Sequence, residues 1–93
     1  MHKFLVHKRG DHVGVVTSDI ERGDRVTGVF MDDNSAMEVV AGQSIPLGHK
    51  IALVSHGDGE EVVEYGQIVG VTTQSWSVGD YVHTHNIRSK RWS

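Results

Sequence analysis

The chain is predicted to fold as an all-β domain, and three observations carry that prediction. Short valine-rich runs recur between turn-forming clusters, and no long stretch repeats its apolar residues at the helical period of 3.6. Glycine is abundant, at 11 of 93 residues, and proline occurs once, a balance that suits tight turns between strands. A strand–turn–strand pattern also recurs within the chain, which points to a pseudo-symmetric arrangement.

Taken in order, Lys3 to His7 forms a short β-prone run, and Lys8-Arg9-Gly10-Asp11 has turn chemistry. His12 to Thr17 then reads as a second strand, so the two make a hairpin. Arg25 to Met31 is a strand, Asp32-Asp33-Asn34-Ser35 a turn, and Ala36 to Val40 the returning strand. A short helix is expected at Pro46, against the nearby Gly48. His49 to Val54 is the next strand, followed by the polar turn His56-Gly57-Asp58-Gly59, in which His56 is expected to be solvated. Val62 to Tyr65, Gln67 to Thr73 and Tyr81 to Ile87 complete the series.

The repeat is clearest between Val13–Val26 and Val69–Val82, where seven of fourteen positions are identical. Each copy reads as a strand, an apolar anchor (Ile20 or Trp76), a turn through Gly23 or Gly79, an acid and a further strand. Such a duplication suggests that related strands pair. A shorter echo runs from Ile45 to Ile51, and a weaker one starts at Gly59. Three of the four units place an acid after the glycine: Asp24, Glu60 and Asp80. The unit at Gly48 places His49 there, followed by Lys50. That pair suits an anion, or acid–base work near neutral pH.

Tyr81-Val82-His83-Thr84-His85-Asn86 alternates like a strand. Tyr81, His83 and His85 would then share one face, and Val82, Thr84 and Asn86 the other. Two imidazoles at i and i+2 can converge on a metal ion or an anion, although a pair is half a metal site at best. The equivalent strand of the first copy carries Thr27 and Val29 in their places, so the scaffold does not need these histidines. His2, His7, His12 and His56 fit no comparable constellation.

Composition bounds the rest. A chain of 93 residues is expected to be one domain over 1–93, with a small core that makes a partner subunit plausible. Without cysteine it has no disulfide and no thiolate metal site. A net charge of -3 is not the footprint of a nucleic-acid binder. No apolar run approaches the length of a membrane span, and Met1 to Gly10 lacks a secretory apolar region, so the expected compartment is the cytoplasm. Arg88, Lys90 and Arg91 crowd a basic tail, about 88–93, and with Ile87 and Trp92 they are candidates for docking to a partner.

Three segments together carry a resemblance. Gly48-His49-Lys50, then Tyr65-Gly66-Gln67-Ile68-Val69-Gly70, then Val82-His83-Thr84-His85-Asn86 is similar to the pattern of the SAF-type domain in the altronate and galactarate dehydratase family. Val69 stands where that pattern has Ile, a conservative departure. The resemblance is dense over about half the chain and implies a β-clip fold. For a small stand-alone chain with this opening and this basic, tryptophan-ended tail, it further implies one subunit of an iron-dependent lyase that splits (R)-sulfolactate, a small sulfonated hydroxy acid, into pyruvate and sulfite. Fe2+ and a separate large (beta) subunit are implied with it. His49, His83 and His85 are then the expected catalytic residues, with His83 and His85 also as partial metal ligands. Lys50, Asn86 and Tyr65 are the expected substrate-binding residues. The alternatives are a small subunit of a sugar-acid dehydratase and a non-catalytic binding module of the same fold.

Overall fold

The computed structural model describes residues 2–89 and is all-β, with no helix among them. Nine strands run in chain order: β1 (Phe4–Val6), β2 (Val13–Val16), β3 (Arg25–Phe30), β4 (Ala36–Val40), β5 (Lys50–Ala52), β6 (Glu61–Glu64), β7 (Gln67–Thr72), β8 (Tyr81–Val82) and β9 (Ile87–Ser89). They form a six-stranded sheet in the order β4-β3-β1-β2-β5-β8 and a three-stranded sheet in the order β6-β7-β9. All pairs are antiparallel except β1 with β3. The β1–β2 hairpin expected around Gly10 is present. Pro46 starts a turn rather than a helix, because the chain bends at Leu47–Gly48, where Gly48 takes a φ of 87°.

The larger core gathers Phe4, Val6, Val16, Ile20, Val26 and Ile51, with further apolar neighbours. Phe4 sits at its centre and needs bare backbone beside it. A Cβ at Gly28, its register partner on β3, would come within 2.0 Å of the Phe4 ring. A second cluster of Val13, Ala52, Val62, Trp76 and Val82 joins the two sheets. The indole N–H of Trp76 donates to the Val54 carbonyl at 2.9 Å, so burying this ring leaves no polar atom unpaired. No helix of the described residues is long and apolar enough to cross a membrane.

The repeat is real, and its physical basis is the turn. Gly23, Gly48, Gly59 and Gly79 all take left-handed φ values, between 80° and 94°. The acid after the glycine closes three of the turns. Asp24, Glu60 and Asp80 accept the backbone N–H three residues earlier, from Glu21, Gly57 and Ser77, at 3.0, 2.7 and 2.9 Å. Pairing, however, does not run between the two most similar copies. Anchors of neighbouring units bridge instead, Ile20 with Ile45 and His56 with Trp76. The strand after the second turn, β5, also pairs with the strand after the fourth, β8.

One predicted strand is corrected. Tyr81 to Ile87 is not continuous: β8 ends at Val82, and the chain turns through His83–Asn86 before β9 begins. Asn86 causes the turn. Its side-chain oxygen accepts from the His83 N–H at 3.0 Å, its amide donates to the Tyr81 carbonyl at 2.7 Å, and the His83 carbonyl accepts from the N–H groups of Asn86 and Ile87. Arg88 lies in β9, while Lys90, Arg91 and Trp92 of the expected docking tail lie outside the described residues.

Candidate functional site

An open cleft of about 590 Å³ lies between the two sheets. Its walls are apolar where Val13 and Val82 face Val69 and Ile87. Polar chemistry enters from His49, Lys50, Glu64 and His83. An apolar cleft with a few convergent polar groups is the usual form of a small-molecule site. Three of the residues expected from sequence therefore come together: His49, Lys50 and His83.

His49 is available for a reason written into its turn. In the other three units the residue after the glycine is an acid because a backbone N–H three residues earlier needs an acceptor. The corresponding residue here is Pro46, which has no N–H. The acid has nothing to accept, and the position is free to carry another side chain. His49 uses that freedom to reach Tyr81, whose hydroxyl lies 2.5 Å from His49 Nδ1. The phenol O–H can donate to Nδ1, an arrangement that would place the ring proton on Nε2. The His83 ring lies 5.0 Å from that of His49 and stacks on Tyr81 at 5.6 Å, with an interplanar angle of 17°.

His85 meets the edge of the Tyr81 ring at 5.6 Å but does not line the cleft. Tyr81 thus gathers all three histidines, although the regular strand expected to align them is absent. Asn86 has a different task from the one expected. It is buried, and both polar atoms of its side chain are spent on the His83–Asn86 turn, which aims His83. Tyr65 also stands apart from the cleft. With Gly66 it makes the two-residue turn between β6 and β7, at a φ of 58°, and its exposed ring stacks flat on His7 at 3.8 Å. Asp11 holds that turn by accepting the N–H groups of Tyr65 and Gly66 at 3.0 and 3.2 Å.

Two groups at the site, Tyr81 against His49 and Glu64 in the cleft wall, were not singled out from the sequence. Tyr81 was placed on the histidine face, but its bond to His49 was not foreseen. Glu64 was missed altogether. It is 3 % exposed, and its carboxylate lies 2.5 Å from Lys50 Nζ and 3.8 Å from His7 Nε2. A signal existed: Glu64 alternates with the buried Val62 on β6, which places a carboxylate on an inward face.

His12 and His56 form a separate pair. His56 Nε2 lies 3.0 Å from His12 Nδ1, and His56 Nδ1 lies 2.9 Å from Glu60. His56 is thus enclosed rather than solvated, with its side chain 10 % exposed. His12 Nδ1 also accepts the Val63 N–H at 3.1 Å, tying β6 to the first hairpin. Burial, and then the neighbouring His56, lower the pKa of His12 below 6.5. The folded chain therefore binds fewer protons than the unfolded chain as pH falls below about 6.5, and folding weakens over that window. Urea unfolding at pH 7.5 and 5.5 should show this loss. In a His12→Gln variant, which keeps an acceptor for Val63, the difference between the two pH values should shrink.

Among the described residues no three histidine, aspartate or glutamate side chains come together in a way that could hold a metal ion. The imidazoles gather around a phenol instead of around a common point, and the buried carboxylate is occupied by a lysine. The described residues by themselves therefore do not fit a complete iron centre.

A family model described as the altronate/galactarate dehydratase SAF domain matches residues 2–90. The chain is 38% identical over 90 residues to the (2R)-sulfolactate sulfo-lyase subunit alpha of Chromohalobacter salexigens, covering 96% of each chain. It is 41% identical over 64 residues to the protein of the same name in Paracoccus pantotrophus, covering 69% of this chain and 96% of that one. Similarity extends to the altronate dehydratase of Bacillus subtilis, at 29% over 89 residues, but there it spans 17% of the longer protein.

Proposed function

This chain belongs to the altronate/galactarate dehydratase SAF-domain family, and from that premise we propose that it is the small subunit of a two-subunit lyase that cleaves (R)-sulfolactate to pyruvate and sulfite. The observation that carries the reading is end-to-end similarity. The match to the sulfo-lyase alpha subunit covers nearly all of both chains, whereas the altronate dehydratase match is a small part of a longer protein.

The reaction is an elimination. A base takes the proton on the carbon that bears the carboxylate and hydroxyl. The C–H electrons form a C=C bond, and sulfite leaves the neighbouring carbon with the C–S electrons. The enolpyruvate left behind then takes a proton at carbon, releases its hydroxyl proton and becomes pyruvate. His49 is the proposed proton-handling group, with Tyr81 on Nδ1 fixing its tautomer and directing Nε2 outward. His83 and Lys50 bring hydrogen-bond donors to the same cleft. Fe2+ is proposed for the assembled enzyme, with His83, the one of the expected pair that lines the cleft, as this chain's share of the ligands. It would act as a Lewis acid on the substrate oxygens. Because the described residues lack a complete centre, the large subunit must supply the remaining ligands, and no proton step is assigned to the metal. We place the complex in the cytoplasm.

Co-expression with a lyase-like large subunit should give a complex that releases sulfite from (R)-sulfolactate, loses that activity to a chelator and regains it with Fe2+. Either chain alone should be inactive. A complex that instead forms a 2-keto-3-deoxy acid from altronate or galactarate would make it a sugar-acid dehydratase. Ligand binding by this chain with neither metal nor partner would make it a binding module.

A further inference from the structure

Glu64 is the least expected residue in the cleft. A carboxylate this enclosed requires a compensating charge, since burying it alone would be prohibitively costly. Lys50 supplies that charge at 2.5 Å, and His7 stands second at 3.8 Å. Lys50 itself is not enclosed, with its side chain 42% exposed, and it lines the cleft together with Glu64. Its ammonium carries three donors, one of which faces Glu64. The lysine is thus presented to the cleft with its charge already balanced.

We propose that Glu64 is a specificity-determining residue: its buried carboxylate is an internal counter-anion that an entering oxyanion must compete with for Lys50. This rests on the reading of the cleft as the binding site for a small anionic substrate, and it revises the simple role of Lys50 as an open anion site. A ligand with one anionic group gains little at Lys50, because the ammonium exchanges one oxyanion partner for another. A ligand with two such groups places the second near His49 and His83, whose rings lie 5.0 Å apart in the same cleft. Glu64 therefore discriminates against small monovalent anions in favour of compact dianions that reach both walls.

The test uses the full chain and methanesulfonate, which carries a single sulfonate group and one negative charge. Binding is followed by NMR on the His49 and His83 rings and on Lys50 Nζ. Replacing Glu64 by glutamine keeps the shape and removes the charge. Glu64→Gln should bind methanesulfonate about 10-fold more tightly than the wild type, and the double variant Lys50→Met with Glu64→Gln should lose that gain. Equal affinities in the wild type and Glu64→Gln would overturn the proposal, as would a gain that survives loss of Lys50. If Glu64→Gln does not fold, the wild type decides. Methanesulfonate should then move the Lys50 ammonium and Glu64 carboxyl signals together, and a titration that moves the His49 and His83 rings alone refutes the competition. The lyase reading is decided separately, by sulfite release from the complex, so either idea can fail without the other.

Discussion

Replacing His49 with alanine in the assembled complex is expected to cut sulfite release by about 10²–10⁴-fold, the usual contribution of a positioned acid–base group. The loss should fall on kcat more than on KM, because the imidazole is proposed to act on the proton in flight rather than to anchor the substrate. Stability should change little. His49 is half-buried at the cleft and closes no turn, since Pro46 offers no N–H for it to accept. Tyr81→Phe is the companion variant. It removes the hydroxyl 2.5 Å from Nδ1 and leaves His49 free to exchange tautomers. Its turnover should fall less than that of His49→Ala. Unchanged turnover in His49→Ala, in a complex shown to assemble, would remove His49 from the reaction.

Much of this molecule can be read from its sequence, and what cannot follows a pattern. The strands were legible because alternation and turn residues are local. The four turns were legible because only glycine takes their left-handed conformation without strain. The special standing of His49 was visible as an acid missing from its unit, although the cause, Pro46 three residues before it, was not recognised. The bend at His83–Asn86 was not read, because Tyr-Val-His-Thr-His-Asn alternates as a strand does and the chain turns only when Asn86 bonds back to Tyr81. Glu64 was harder still. Its partner Lys50 lies fourteen residues away on a strand of the other sheet, so only tertiary packing brings the pair together. Local chemistry is thus readable from the chain, while charges whose meaning depends on a distant partner are not.

The same distinction sets the largest expected change in stability. Gly23 and Gly79 occupy equivalent positions in the two best copies of the repeat, with φ values of 90° and 94°. Sequence makes them interchangeable, but their surroundings do not. A Cβ on Gly23 would meet nothing within 4 Å. Gly23→Ala should therefore cost only the backbone strain, about 1–2 kcal/mol. A Cβ on Gly79 would lie 2.1 Å from the Val40 carbonyl oxygen, and that oxygen belongs to a backbone that cannot rotate away. Gly79 is also fixed on both sides, donating to the Ala52 carbonyl at 2.8 Å and accepting from the Gly42 N–H at 2.9 Å. Gly79→Ala combines strain with overpacking and should cost about 3–4 kcal/mol, a large share of the stability of so small a domain. Thermal unfolding should show a drop of about 15 °C or more for Gly79→Ala and about half of that for Gly23→Ala. The consequence reaches the cleft, because β8 begins two residues later and carries Tyr81. Where Gly79→Ala still folds, relief of the clash must displace β8. The Tyr81–His49 bond should weaken with it, seen as a change in the His49 ring shifts that Gly23→Ala does not produce. Equal destabilisation by the two substitutions would mean that the approach of Val40 to Gly79 is not a constraint on the fold.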